Sequence, residues 1–84
     1  MLTKKQVDQL KRSAGRTKNR VALAMELADV TQVQVADKTG FTQSYVSRVQ
    51  NGHYSALPGE TMRTFAAYFG CSIEDLFPAR EAVA

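Results

Sequence analysis

The sequence predicts an all-α fold: a compact bundle of about five helices with a helix-turn-helix at its centre and an extra basic helix or arm ahead of it. Three observations lead there. Apolar residues recur three and four apart in the regular-looking segments, so each has one face to bury. Capping residues and glycines punctuate these segments where helices start and stop. No stretch reads as a strand, and there is no internal repeat.

Thr3 with Gln6 three residues on forms a capping-box signal, and Val7, Leu10 and Ala14 keep helical spacing until Gly15 interrupts. Residues 15–19 read as a polar joint. Val21, Ala24, Met25 and Ala28 then make one stripe of a helix that ends near Asp29. Thr31 can cap the next helix, Gln32 to Thr39, with Val33 and Ala36 facing inward and Gly40 ending it. Thr42 caps a further helix, Gln43 to about Gln50, stopped by Asn51-Gly52. After a polar loop Pro58 opens a helix carrying Met62, Phe65, Ala66 and Phe69 on one side, closed by Gly70. Ser72, with Asp75 three on, caps a last short helix that buries Ile73, Leu76 and Phe77 before Pro78. The expected organisation is a basic leading segment at 1–19, a helix-turn-helix domain at 20–78 and a disordered tail at 79–84.

Eighty-four residues make one domain with a small core and little room for an effector module, so no small-molecule ligand is expected. The hydrophobic fraction of 44% contains no run long enough to cross a membrane, and the basic start lacks the apolar stretch of a secretory signal. A cytoplasmic protein is expected. Cys71 is the single cysteine and cannot form an internal disulfide; a small buried hydrophobe is its natural reading. The net charge of +3 is unevenly spread: Lys4, Lys5, Lys11, Arg12, Arg16, Lys18 and Arg20 oppose Asp8 alone in the first quarter, leaving the remainder net acidic. A basic first quarter points to a polyanionic partner.

The stretch from Gln32 to Gly52 carries the chemistry. Ala36 is small enough to let two helices approach closely, and Gly40 supplies the positive backbone dihedral of the turn between them. Val46 and Val49 set one edge of the second helix against the first, which leaves Gln43, Ser44, Ser47 and Arg48 facing away. Such an outward set can read DNA bases. Gln43 can bond both edges of an adenine and Arg48 can fork onto a guanine, while Ser44 and Ser47 suit bases or phosphate. Any globular helix also shows polar residues to water, so only the surrounding spacing favours the DNA-facing reading.

Tyr45 can reach a base or the sugar-phosphate backbone, or lie on the neighbouring helix. Thr42 and Asn51 sit at the two ends of the helix, where hydrogen bonds to the DNA backbone would fix register without reading sequence; both also serve as caps. His53 lies in the following loop, near where a DNA backbone would pass. Lys5, Lys11 and Arg12 can lie along phosphates, each neutralised phosphate adding about −0.9 to the salt slope, or can simply solvate the leading helix. The leading helix and exposed parts of the last helix are both candidates for the dimer surface. No second histidine exists to build a metal site with His53, and no Ser/His/Asp grouping, paired carboxylates, glycine-rich phosphate loop or CxxC is present. No enzyme, cofactor or metal is expected.

The residues Thr31-Gln32, Ala36, Gly40, Phe41-Thr42 and Ser47-Arg48-Val49-Gln50-Asn51-Gly52 resemble the pattern of the lambdoid repressor/Cro-like (Xre-type) helix-turn-helix family. The likeness continues through Glu60-Thr61-Met62, Phe65-Ala66, Phe69-Gly70 and Ser72 to Phe77, so it covers roughly Val21 to Phe77. It implies a lambda-repressor-like bundle whose recognition helix turns its N-terminal end toward base edges in the major groove. Gln32 resembles the family's glutamine that bonds a phosphate and props the recognition-helix glutamine, here Gln43. Three positions depart from the pattern. Asp29 stands before Val30 where a glycine is usual, Gln50 replaces a glutamate, and Cys71 occupies a Val-like core position.

The function implied is that of a sequence-specific regulator of transcription, repressor or Cro-like, acting as a homodimer on a short inverted repeat in double-stranded DNA at the nucleoid. The alternatives are an antitoxin or other protein-interaction module built on the same fold, and a non-specific nucleic-acid binder using only the basic lead.

Overall fold

The computed structural model describes residues 1–12 and 19–78. Ala14 and Gly15, most of the polar joint and the tail at 79–84 lie outside the described residues. Six helices occur in the order α1 (Lys4–Arg12), α2 (Val21–Ala28), α3 (Gln32–Thr39), α4 (Gln43–Gln50), α5 (Gly59–Phe69) and α6 (Ile73–Leu76), with no strand among the described residues. The all-α bundle expected from the sequence is thus the observed architecture.

Side-chain caps set the starts of α1, α3, α4 and α6. The Thr3 hydroxyl accepts from the Gln6 amide at 3.1 Å while the Gln6 side chain accepts from the Thr3 amide at 2.9 Å, closing the box ahead of α1. A second box stands before α3, where Gln34 answers Thr31, and a third before α6, where Asp75 answers Ser72. Thr42 caps α4 by accepting from the Tyr45 amide at 3.1 Å. Helices α2, α3 and α5 stop at left-handed residues. Gly40 has φ 84°, and a Cβ there would meet nothing within 4 Å, so its backbone conformation and not crowding calls for glycine. Asp29, the one non-glycine residue with positive φ among the described residues, closes α2 at φ 55°. The Val30 amide bonds the Met25 carbonyl at 3.0 Å there, a Schellman-type ending without its glycine.

The core gathers Leu10, Val21, Ala24, Val35, Val46, Val49, Phe65, Phe69, Leu76 and Phe77, all fully buried. Phe41 stacks on Phe65 at 5.4 Å between ring centres, and Phe65 meets Phe77 edge-on at 6.3 Å. Leu2, ahead of α1, is also buried, and its amide bonds the Phe69 carbonyl at 2.9 Å. Together with Leu10, the Gln6 bond to the Leu27 carbonyl and a 3.9 Å pair between Lys11 and Asp75, this docks α1 on α2, α5 and α6.

Three expectations are corrected. Val33 is 58% exposed, and Val35 is the buried valine of α3. Positions two apart point about 200° apart on a helix, so only one of the pair can face the core. The inward face is Gln32, Val35, Ala36 and Thr39, a regular helical stripe whose polar ends concealed it. Asn19, read as part of a polar joint, is only 2% exposed. Its Oδ1 accepts from the Val21 amide at 2.9 Å, and its Nδ2 donates to the Val49 carbonyl and the Tyr54 hydroxyl, both at 2.8 Å. Ile73 shares the inward face of α6 with Leu76 and the following Phe77, but as the first residue of the helix it packs against the core only half-buried.

No helix among the described residues is long and apolar enough to cross a membrane. Cys71 is half-buried against the core, and desolvation, followed by the Asp75 charge, pushes its thiol pKa up to about 11.

Candidate nucleic-acid interface

Two helices joined by a corner of three residues build this surface. Val35 and Ala36 of α3 pack where Val46 and Val49 of α4 arrive, and the corner Gly40-Phe41-Thr42 is fixed by one left-handed glycine, one aromatic in the core and one cap. With Val46 and Val49 buried, helical periodicity turns the opposite side of α4 outward. Gln43, Ser44 and Arg48 are exposed there and Ser47 is half-buried. The far end is held as firmly as the start: Gly52 at φ 73° returns the chain, the His53 amide bonds the Arg48 carbonyl at 2.9 Å, and Asn19 grips the Val49 carbonyl.

Gln32 links the two helices. Its Oε1 accepts from Gln43 Nε2 at 3.4 Å and its Nε2 donates to Gln50 Oε1 at 2.8 Å. Gln32, Gln43, Ser44 and Ser47 line a shallow notch of about 350 Å³. The notch offers amide and hydroxyl groups that both donate and accept, the chemistry of a base edge. From Val30 to His53 the chain carries Lys38 and Arg48 against Asp37, so the recognition helix itself holds a cation and no carboxylate. An approaching polyanion meets no like charge on α4.

The structure brings Gln32, Gln43, Ser44 and Ser47 together and continues along the same helix to Arg48 and Asn51, whose Nδ2 bonds the Ser47 hydroxyl at 3.4 Å. Thr42 and His53, both exposed, flank the two ends of α4. Tyr45 takes the packing arrangement: its ring meets Phe41 edge-on at 5.0 Å and its hydroxyl lies 3.4 Å from that of Thr61 on α5. Lys5, Lys11 and Arg12 are carried on a different element, α1, and Lys11 faces Asp75 on α6. Among the described residues no group of three His, Cys, Asp or Glu side chains is placed to hold a metal ion.

Sequence reasoning missed two supports of this surface. Asn19 and Tyr54 lie 35 positions apart and join only in the fold, although an asparagine two residues before an apolar stripe is itself an Asx-type start signal. Gln50 stands out in the sequence only as a departure from the family pattern, and its bond to Gln32, 18 positions back, carries no local signature.

A family model described as Helix-turn-helix matches residues 21–76, which is more than half of the chain and begins and ends with α2 and α6. No curated protein and no solved structure matches. The matched span contains the corner at Gly40, the outward face of α4 and the helices that brace them, and the chain belongs to the Cro/C1-type, Xre-like helix-turn-helix family of DNA-binding regulators.

Proposed function

We infer that the protein is a sequence-specific regulator of transcription, repressor or Cro-like, that binds a short inverted repeat in double-stranded DNA as a homodimer in the cytoplasm. The observation that carries this reading is the notch that Gln32 at the start of α3 forms with Gln43, Ser44 and Ser47 of α4, a helix held at both ends. Gln43, Ser44, Ser47 and Arg48 meet base edges. Thr42, Asn51, His53 and Gln32 meet the backbone around them, and Lys5, Lys11 and Arg12 add phosphate contacts that carry no sequence information. Tyr45, held on α5, reaches the duplex only with its exposed edge.

One such helix covers too few base pairs for useful specificity. Two copies related by a two-fold axis, with recognition helices about 34 Å apart, would read two half-sites one helical turn apart. Selection of bound duplexes from a random pool tests this. The expected product is a symmetric motif with half-site centres about 10 base pairs apart. A pool that never enriches any motif at moderate ionic strength would overturn the reading.

A further inference from the structure

Gln32, Gln43 and Gln50 form a chain of three carboxamides with a direction. Gln43 Nε2 donates to Gln32 Oε1 at 3.4 Å, and Gln32 Nε2 donates to Gln50 Oε1 at 2.8 Å. Each side-chain amide has one donating and one accepting end, so turning one member over forces the next to turn as well. The end of the chain at Gln50 is half-buried and the end at Gln43 is exposed. The half-buried end has less room to turn over than the exposed one, which displays the direction of the chain to a ligand. In the observed direction Gln43 spends one N–H on Gln32 and keeps its carbonyl oxygen and a second N–H, the pair that matches the N6 donor and N7 acceptor of adenine. In the reverse direction its oxygen faces Gln32 and only N–H groups point outward, which matches the two acceptors of guanine.

We propose that Gln50 is a positioning residue for base choice: by fixing the amide direction of Gln32 it decides whether Gln43 addresses adenine or guanine. It touches no DNA itself. The proposal rests on Gln43 meeting a base, and the experiment separates the two claims. Duplexes are first selected from a random pool with the wild-type protein, and Gln43→Ala identifies the base pair that Gln43 addresses. Duplexes differing only there, with adenine or guanine, are then titrated with the wild-type protein and with Gln50→Glu, Gln50→Lys and Gln50→Leu at one salt concentration.

Glutamate only accepts, so Gln50→Glu keeps the adenine preference while its charge weakens binding to both duplexes. Lysine only donates, so Gln50→Lys reverses the chain and moves the adenine-to-guanine affinity ratio toward guanine by about tenfold or more, the size of one good bidentate base contact. Leucine leaves Gln32 unanchored and brings the ratio toward one. The ratio is insensitive to a general change of charge or stability, which affects both duplexes alike. If Gln43→Ala relaxes one base pair but the ratio is the same in the wild type, Gln50→Lys and Gln50→Leu, the positioning role is wrong and the base contact stands. If Gln43→Ala relaxes no position, both are wrong.

Discussion

Replacing Asn19 by alanine removes its hydrogen bonds to Val21, Val49 and Tyr54 from a nearly fully buried site, and their cost can be assembled from the geometry. Loss of the bond to the Val21 amide resembles loss of a helix cap, about 1 kcal/mol. The bonds from Nδ2 to the Val49 carbonyl and the Tyr54 hydroxyl contribute about 0.5–1.5 kcal/mol each. The Val49 carbonyl still accepts from the Gly52 amide at 3.0 Å, so the lower half of that range applies to it. The expected loss is about 2–4 kcal/mol, a large part of the stability of so small a domain. For a chain of this size it lowers Tm by roughly 10–25 °C. Urea and thermal denaturation followed by circular dichroism measure it. Asn19→Ser, which keeps an acceptor near the Val21 amide but loses both Nδ2 bonds, should recover about 1 kcal/mol of the deficit. An Asn19→Ala protein within 0.5 kcal/mol of the wild type, a difference ordinary for surface sites, would refute the view that this side chain pins α2 to the end of the recognition helix.

Other consequences can be checked in the same way. Asp29→Gly relieves a left-handed non-glycine residue at φ 55° and should stabilise the fold by some tenths to about 1 kcal/mol, part of the relief being offset by glycine's greater freedom when unfolded. Gly40→Ala meets no obstructing atom, so only the strain at φ 84° acts, and denaturation should show a loss of about 1–2 kcal/mol. Arg48→Ala should cost about 1–3 kcal/mol of affinity on the selected duplex and relax one base position, whereas equal loss on every duplex would reduce Arg48 to a phosphate contact. Cys71, with its pKa raised to about 11, should react with iodoacetamide with a midpoint near that pH. Because the unfolded thiol ionises first, at about 9, stability should be unaffected below that pH and fall as pH rises from there toward 11.

Signals confined to one turn of chain were legible in the sequence. The boxes at Thr3 and Ser72, the caps at Thr31 and Thr42 and the stop at Gly40 are local chemistry, and the structure has each of them. So was the outward placement of Gln43, Ser44 and Arg48, since burying Val46 and Val49 leaves them no other direction. Legibility failed where a residue's environment comes from far along the chain. Val33 and Val35 are equivalent in apolar character, and only the docking angle of α3 chooses between them. Asn19 is a polar residue whose partners include residues 21, 49 and 54, two of them far along the chain, so composition alone counts it as a loop. Leu57, 3% exposed within an otherwise polar loop, and Leu2, buried ahead of α1, have no periodic neighbours to announce them. Tyr45 had two plausible directions from its position on α4, and the ring of Phe41 and the hydroxyl of Thr61 supply the reason it turns toward α5.

The central claim, that the exposed side of α4 enters the duplex while the rest of the bundle braces it, is tested most directly by titrating the 15N-labelled protein with a selected duplex and mapping the chemical-shift changes. The largest changes are predicted at the backbone amides of residues 42–48 and at the side-chain amides of Gln32 and Gln43. Changes confined to α1, with α4 silent, would contradict it.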